Sequence, residues 1–364
     1  MKQRHLYPGA LSQGHSSHHR KPRQNPGVWS FYVLLFTVAL SPVVATATDL
    51  TQQLHRPLLN GSVLRSSRDD ADGLLHLAEE QLLASRADKA INSCLQAIEI
   101  YHSIGDLKAQ GLAYSFLGRS YIQLERHKEA EDALRRELGI ARDTQDFSAQ
   151  IFALNNIGAL LMQKAEYIPA EKIFEEAWGI AKNIKHAEGE GLSLSNLGLV
   201  AAKLGDENKA IKLYETALKY RRQVGDPIGE ANTLNNLGDS YFAAGEYSES
   251  IGVYGTALRM AKLSHDTLNQ IRAIDGLVSI YSFTGRYNRT FDLLEQRLTL
   301  ANKLQNLPEQ LKSFESYALV YEKLGQYQTA RNFYERAINL SRQIEDSHKE
   351  IFLQDRVRLI ERKV

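Results

Sequence analysis

Residues 231–266 of this 364-residue chain read ANTLNNLGDSYFAAGEYSESIGVYGTALRMAKLSHD. Apolar and small residues recur in each half of this stretch at the i, i+3, i+4, i+7 spacing of one helix face. The first set is Leu234, Leu237, Gly238 and Tyr241, and the second set is Tyr254, Ala257, Leu258 and Ala261. A Gly-Glu-Tyr turn signal at 245–247 separates the two sets. The stretch therefore predicts two helices joined by a tight turn.

The same pattern recurs every forty residues, with no insertion or deletion between copies. The seven copies are 67–106, 107–146, 147–186, 187–226, 227–266, 267–306 and 307–346. A fixed period over hundreds of residues indicates a solenoid, in which each unit packs on its neighbours. Most copies end in aspartate, as at Asp226 before Pro227, and an aspartate there can accept hydrogen bonds from the first N–H groups of the next helix.

The N-terminal part of the chain differs from the repeats in composition. Residues 1–27 are polar and basic, which predicts disorder, and residues 28–47 carry no charged side chain. A basic leader, an apolar stretch and the Ala-Thr-Ala triplet at 45–47 are typical of a secretory signal cleaved just before Thr48. The alternative is an uncleaved membrane anchor, because about twenty apolar residues span a bilayer. In either case the basic flank predicts that the body lies outside the cytoplasm, in a periplasm, a lumen or the extracellular space.

Two further segments flank the repeats. Residues 48–66 show no periodicity and are predicted to be a linker. Residues 347–364 begin with the capping-box spacing of Ser347 and Glu350 and continue with apolar residues among basic ones. Because a solenoid needs an end helix with one polar face, this segment is predicted to be a C-terminal capping helix.

Composition and motifs exclude several function classes. The net charge is +1, but residues 1–27 carry five basic side chains and no acid, so the body is mildly acidic and nucleic-acid binding is not favoured. The single cysteine, Cys94, excludes an intrachain disulfide. There is no phosphate-binding glycine loop, zinc-protease motif or nucleophile elbow. The sequence predicts a non-enzymatic protein without a cofactor or a metal site.

Three small positions recur in phase, and together they resemble the signature of the tetratricopeptide repeat. The first is Ala78, Gly118, Gly158, Gly198, Gly238, Val278 and Ala318; the second is Ala90, Ala130, Ala170, Ala210, Ser250, Thr290 and Ala330; the third is Ala97, Glu137, Ala177, Ala217, Ala257, Arg297 and Ala337. The forty-residue period is longer than the usual one of about 34 residues and is similar to the subclass found in kinesin light chains, Rap-type regulators and cyanobacterial exported proteins. The resemblance implies an all-α, right-handed α-solenoid of seven helical hairpins plus the C-terminal capping helix, with a protein or peptide bound in its concave groove.

Polar residues of the first helices are the candidate groove residues. Asparagine pairs recur in the motif LNN, and asparagine can both donate to and accept from a peptide backbone whatever the peptide's side chains are. The alternative is that these asparagines bond between neighbouring helices. The predicted groove residues are Asn155, Asn156, Ser195, Asn196, Asn235, Asn236, Asp239, Arg119, Lys203 and Arg272.

The sixth repeat is predicted to be a local irregularity, because Val278, Thr290 and Arg297 replace all three small residues. A buried arginine needs a partner, and Asp292 and Glu295 are the nearby acidic candidates. The hairpin is expected either to bend the solenoid or to tilt so that the arginine is exposed.

These observations predict a protein- or peptide-binding scaffold that acts outside the cytoplasm and contacts a membrane only if residues 28–47 are retained. Two alternatives stay open. One is a regulatory sensor whose solenoid changes shape on binding a signalling peptide. The other is an accessory subunit of a membrane-bound enzyme complex.

Overall fold

The computed structural model describes residues 62–84 and 86–362, and every regular element in this part of the chain is an α-helix. In chain order the fifteen described helices are α1 Ser62–Leu83, α2 Ala87–Ile104, α3 Leu107–Gln123, α4 His127–Asp143, α5 Phe147–Gln163, α6 Tyr167–Ile184, α7 Ala187–Lys203, α8 Glu207–Val224, α9 Pro227–Ala243, α10 Tyr247–Leu263, α11 Thr267–Phe283, α12 Tyr287–Lys303, α13 Leu307–Lys323, α14 Tyr327–Gln343 and α15 Ser347–Glu361. They confirm the predicted all-α solenoid. The predicted leader and the segment 28–47 lie outside the described residues. No helix within 62–84 or 86–362 has the length and apolar character needed to cross a membrane.

Side-chain caps begin the odd-numbered helices from α3 to α15. The carboxylate of Asp106 accepts a hydrogen bond from the backbone N–H of Ala109 at 3.1 Å, which satisfies a donor left unpaired at the helix start. The equivalent residues Asp146, His186, Asp226, Asp266, Asn306 and Asp346 cap in the same way. His186 does so through Nδ1, which lies 3.0 Å from the nitrogen of Gly189. The capping role predicted for the repeat ends is therefore confirmed.

Left-handed turns reverse the chain between consecutive helices. Gly205 and Gly245, between the two helices of their repeats, have φ of +81°, a region that glycine adopts without strain. Other turns place a side chain in the same region, as at Ala165 with φ of +58° and His265 with φ of +55°. Each reversal packs a helix against the one before it.

Aromatic rings of the second helices pack on glycines of the first helices. A Cβ atom at Gly198 would lie 2.6 Å from Cε1 of Tyr214, and one at Gly158 would lie 2.3 Å from Cε1 of Phe174. These distances leave no room for a side chain. The recurrent small residue therefore lets the two helices of a repeat approach while the ring fills the space between them.

The first helix begins earlier than the sequence predicted. Helix α1 starts at Ser62, so the last five residues of the predicted linker 48–66 are helical. There is no proline or glycine from Ser62 to Asp72, and helix propensity therefore suffices to extend the helix beyond the apolar periodicity. The absence of apolar periodicity in residues 62–66 therefore did not mark the start of the first helix correctly.

Arg297 is buried, with an exposed fraction of 1%, and the expected outward tilt of this residue is wrong. Its guanidinium donates to Asp275 of α11 and, at 2.7 Å, to the carboxylate of Glu309 on α13. The predicted partners Asp292 and Glu295 are also wrong, because both are exposed on α12 itself. The carboxylates that reach the interior come from the two neighbouring first helices.

Helix α15 packs on α13 and α14 as the last described helix. Leu353 and Ile360 are buried in the cluster that these helices share. Ile351, Phe352 and Leu359 are 59%, 44% and 48% exposed. The outer side of this helix is therefore less polar than expected of a capping helix.

Candidate ligand-binding face

Metal-binding groups are not assembled in the described residues. No group of three or more histidine, cysteine or acidic side chains there is arranged to hold a metal ion. Cys94 is fully buried, and burial raises the pKa of its thiol to about 12, so that it is protonated at neutral pH and a poor nucleophile. The remaining candidates are the polar side chains of the first helices.

A column of mostly buried polar side chains runs through the first helices at forty-residue intervals. This polar column consists of Ser115, Asn155, Ser195, Asn235, Asp275 and Glu315. Each member bonds to the next first helix, directly or through one bridging side chain. At its charged end Asp275 is joined through Arg297 to Glu309 of α13, and Glu315 accepts from Lys349 of α15 at 2.8 Å.

Amides and hydroxyls form the middle of the polar column. The amide nitrogen of Asn155 donates to Ser193 Oγ at 2.9 Å, and its oxygen accepts from Asn196 Nδ2 at 2.8 Å. Ser195 Oγ lies 2.8 Å from Thr233 Oγ1 of α9. Asn196 is half-buried, whereas the other members lie buried between α5, α7 and α9 and satisfy one another in place of water.

Asn156, next to the polar column, and Asn235, a member of it, make the same kind of bond. Asn156 Nδ2 donates to Ser115 Oγ of α3 at 3.1 Å, and Asn235 Nδ2 donates to Asn269 Oδ1 of α11 at 3.1 Å. The predicted groove residues of the polar column thus bond between helices, which is the alternative that the sequence left open. Their peptide-binding role stays a prediction.

A different face of the first helices is accessible in part, at Asp239 and Phe283. Residues at i, i+4, i+7 and i+11 of one helix lie on the same side, and this side of the first helices is named the ligand face. On α9 it carries Asn232, Asn236, Asp239 and Ala243, and on α11 it carries Arg272, Gly276, Ser279 and Phe283.

Arg272 joins the ligand face of α11 to that of α9. Its Nη1 donates to Asn232 Oδ1 at 2.9 Å, and its Nη2 donates to Asn236 Oδ1 and to Asp239 Oδ2, the latter at 3.1 Å. The side chain of Arg272 is 20% exposed and that of Asp239 is 50% exposed. The carboxylate is therefore the more accessible of the two charges.

Lys203 of α7 lies beside this group. Burial lowers the pKa of Lys203, and the nearby Asp239 carboxylate opposes the shift. Burial also raises the pKa of Glu207 at the start of α8, a residue that sequence reasoning did not place in the site. The structure thus brings four predicted groove residues together, namely Lys203, Asn236, Asp239 and Arg272.

Tyr254 of α10 holds Asp239 from the opposite side of the helix layer. Its hydroxyl donates to Asp239 Oδ1, although its ring is only 1% exposed. A Cβ atom at Gly238 would lie 2.7 Å from Cε1 of this ring, and one at Gly276 would lie 2.2 Å from its Cζ. The ring therefore passes between α9 and α11 where neither helix has a side chain, and its hydroxyl reaches the ligand face.

An exposed aromatic residue completes this part of the ligand face. Phe283 is 56% exposed, and its ring centre lies 5.9 Å from that of Phe242 and 5.3 Å from that of Tyr247. Sequence reasoning missed Phe283 and Tyr254 because aromatic residues at helical spacing indicate a core. The sequence did contain a signal for Phe283, namely its position within the repeat. Phe283 occupies the position that Lys203, a predicted groove residue, holds two repeats earlier.

Arg119 and Asn156 belong to a second group, on α3 to α5. Arg119 stacks over Phe116 at 5.2 Å, and burial lowers its pKa. Glu137 of α4 is buried among Ser115, Asn156 and Arg119, and burial raises its pKa to about 8. Glu137 replaces the alanine of a repeated small position, a substitution that is visible in the sequence although its burial is not.

Models of the tetratricopeptide repeat match four segments of the chain. These segments are residues 113–146, 150–223, 229–303 and 311–344. No curated protein matches the chain.

Solved structures of low sequence identity share the fold. The Rap conjugation gene regulator of plasmid pLS20, in complex with the Phr* peptide, has a TM-score of 0.59 at 18% identity, over 89% of this chain and 87% of that one. A Rap protein complexed with competence and sporulation factor has a TM-score of 0.58 at 15% identity, over 89% of each chain. A signal transduction ATPase with numerous domains and a tetratricopeptide repeat sensor, from Pyrococcus horikoshii, has a TM-score of 0.58 at 18% identity. That match covers 80% of this chain and 45% of the ATPase, so this chain spans less than half of the larger protein.

Proposed function

The chain belongs to the tetratricopeptide repeat family, and from this premise we propose that it is a protein- or peptide-binding scaffold whose ligand lies on the ligand face of α7, α9 and α11. Its partner is a protein or peptide, and the binding function requires no cofactor. The Rap regulators that share the fold were solved with the Phr* peptide and with competence and sporulation factor, which supports a ligand of this kind.

The observation that carries the proposal is the cluster around Arg272. Asp239 is half-exposed and is held in place by Arg272 on one side and Tyr254 on the other. A polar group that is already oriented loses little conformational entropy when a ligand binds. The same face also carries Asn196 of α7, which is half-buried, and Phe283 of α11, which offers exposed apolar area, so it combines polar and aromatic groups.

The proposed place of action is outside the cytoplasm. This part of the proposal is supported by the basic leader 1–27 followed by the uncharged segment 28–47, which lie outside the described residues. N-terminal sequencing of the protein from an exporting host is expected to start near Thr48. Recovery of intact residues 1–47 in the membrane fraction would indicate an anchor instead.

Peptide selection on the full chain tests the binding proposal. The probe is a phage-displayed library of random dodecapeptides. Peptides selected on the unmodified chain are expected to bind the variants Lys203→Ala and Asp239→Ala about tenfold more weakly, because each variant removes a charged hydrogen-bonding group from the ligand face.

Two matched variants serve as controls. Lys219 of α8 and Asp292 of α12 are exposed on second helices, away from the ligand face, and their alanine variants should bind as the unmodified chain does. Failure to select any peptide, or equal loss of affinity in the control variants, would overturn the proposal.

A further inference from the structure

The outer side of α15 carries a stripe of apolar and charged side chains. Ile351, Asp355 and Arg358 lie at the i, i+4, i+7 spacing of one helix side, and Phe352 and Leu359 flank them at i, i+7. All five residues are exposed, and the side chains of Asp355 and Arg358 are 59% and 70% accessible. We name these five residues the α15 stripe. No element within residues 62–84 and 86–362 covers it.

Earlier first helices bury the positions of this stripe. Forty residues before Ile351 and Arg358 lie Leu311 and Ala318 of α13, and both are buried. Asp355 follows Glu315 at the interval of the polar column, whose members bond to the next first helix. The α15 stripe is therefore largely the stacking side of a first helix, and in the described part of the chain no repeat is stacked on it.

A further hairpin of the same kind is a poor fit for this side. In the fourth repeat the ring of Tyr214 fills the space next to Gly198, and the equivalent position on α15 is Arg358. A long charged side chain occupies the place that such a ring would need. The stripe therefore matches a partner that pairs with the arginine, because a charge covered without a partner is costly.

The two charges of the stripe are complementary to a second copy of themselves. Asp355 Oδ1 and Arg358 Nη1 lie 3.0 Å apart within one helix, and an exposed pair of this kind contributes little to stability. If two copies of α15 lie antiparallel about a twofold axis between positions 356 and 357, Asp355 of each copy lies level with Arg358 of the other. Two separate pairs then become one network of four charges, which is the self-complementary pattern of an isologous contact.

The same arrangement brings apolar side chains together. At a rise of about 1.5 Å per residue, Ile351 and Phe352 of one copy lie within one helical turn of Leu359 of the other. Beside the stripe, a groove of about 390 Å³ between α14 and α15 is lined in part by Ile338 and Val357. The contact would bury apolar area that a single copy leaves in water.

We propose that the α15 stripe is the interface of a homodimer in which two copies of α15 pack antiparallel about a twofold axis. Its occupant is a second copy of this chain, selected by the reciprocal pairing of Asp355 with Arg358. The interface is small, so the dimer should dissociate in the micromolar range. A dimer carries two ligand faces, so a partner with two binding segments would bind it more tightly than it binds one copy.

Exchange of the two charges tests the pairing. Asp355→Arg and Arg358→Asp each place like charges opposite one another, so each variant alone should dissociate at least about tenfold more readily than the unmodified chain. An equimolar mixture of the two variants should dimerise again, because every charge then meets its opposite across the axis. The double variant Asp355→Arg/Arg358→Asp should dimerise by itself. Sedimentation velocity of the full chain over a range of concentrations, with the same non-ionic detergent in every sample, measures each dissociation constant.

Arg135→Asp is the matched control. Arg135 is 71% exposed and, like Arg358, belongs to a pair within one helix, with Glu131 of α4. This variant should dimerise as the unmodified chain does. Phe352→Ser, which keeps both charges of the stripe, should weaken the dimer about tenfold through lost apolar contact.

Each outcome decides the question. A monomer at every concentration overturns the inference, and so does a dimer that the single charge variants leave unchanged, since another surface then joins the copies. Growth beyond two copies would indicate a head-to-tail contact with the outer side of α1, which exposes Asp69, Asp70 and Glu80, and would also overturn it. So would a mixture that stays monomeric although both variants keep the circular dichroism of the unmodified chain. Peptide binding at the ligand face is measured separately, and neither result decides the other.

Discussion

Arg297 of α12 and Asp275 of α11 form an ion pair at the position where five of the seven repeats carry alanine. Nη1 of Arg297 also donates to the backbone oxygen of Glu309 at 2.8 Å and to Ser313 Oγ at 2.7 Å. One fully buried side chain thus connects α11, α12 and α13. The sixth repeat departs from the repeat consensus, and its arginine is fully bonded inside the solenoid.

Replacing this arginine should be costly. Arg297→Met is expected to lower the free energy of unfolding by about 3–5 kcal/mol at pH 7, because removing one member of a buried ion pair leaves the other charge uncompensated. Urea unfolding followed by circular dichroism measures the change. Arg289→Met, an exposed arginine on the same helix, should stay within about 0.5 kcal/mol of the unmodified protein. Equal midpoints for the two variants would contradict the assigned role.

The loss in Arg297→Met should shrink in acid. Burial raises the pKa of Asp275, and the Arg297 guanidinium opposes that shift. Without the arginine the pKa of this carboxyl rises further, so it is protonated at a higher pH and no longer needs a cation. The destabilisation measured at pH 5 should therefore be smaller than that at pH 7. A loss that grows as the pH falls would exclude this explanation.

Glu137 should make stability depend on pH between about 4.5 and 8. Its pKa is raised from 4.5 to about 8 by burial, so the unfolded chain releases its proton at lower pH than the folded one. The contribution of Glu137 is fully present below its unfolded pKa and is lost as the pH rises through its folded pKa, at up to about 1.4 kcal/mol per pH unit. Glu137→Gln should remove that slope in urea unfolding at pH 5, 6, 7 and 8. Glu175→Gln, at an exposed position on α6, should keep it.

Gly198 and Gly179 should respond in opposite directions to the same substitution. A Cβ atom at Gly198 would lie 2.6 Å from the Tyr214 ring, so Gly198→Ala is expected to cost about 1–3 kcal/mol. At Gly179 of α6 there is nothing within 4 Å, so Gly179→Ala should stabilise by about 0.5–1 kcal/mol through its helix propensity. Thermal melts of the two variants measure the difference. Stabilisation by both would show that the first and second helices are not packed in the described register.

Tyr254→Phe should weaken ligand binding more than it lowers the stability of the fold. The variant keeps the ring between the two glycines and removes only the hydrogen bond to Asp239. Selected peptides that depend on Asp239 should bind about tenfold more weakly, since a hydrogen bond to a charged group contributes about 1.5–3 kcal/mol. Tyr220→Phe on α8, which removes a hydroxyl beside Glu190 away from this face, is the matched control. Equal affinities of the two variants would mean that Tyr254 does not position Asp239.

Periodicity and local chemistry were readable from the sequence. The forty-residue repeat was predicted correctly, and so were the Asp226 type of cap and the Gly198 type of close approach, which depend on residues close together in the chain. Such features are local, because a helix cap and a helix pair are formed by residues close together in the chain.

The direction of each polar side chain was decided only by tertiary structure. Asn235 and Asn236 are adjacent in sequence, yet Asn235 bonds Asn269 within the interior, whereas Asn236 accepts from Arg272 at the ligand face. Both are buried, but neighbouring helical residues point about 100° apart, so each meets a different partner on α11, the next first helix. The partners of Arg297 and the burial of Glu137 were hidden from the sequence for the same reason, since their environments are formed by helices that come together only when the repeats stack.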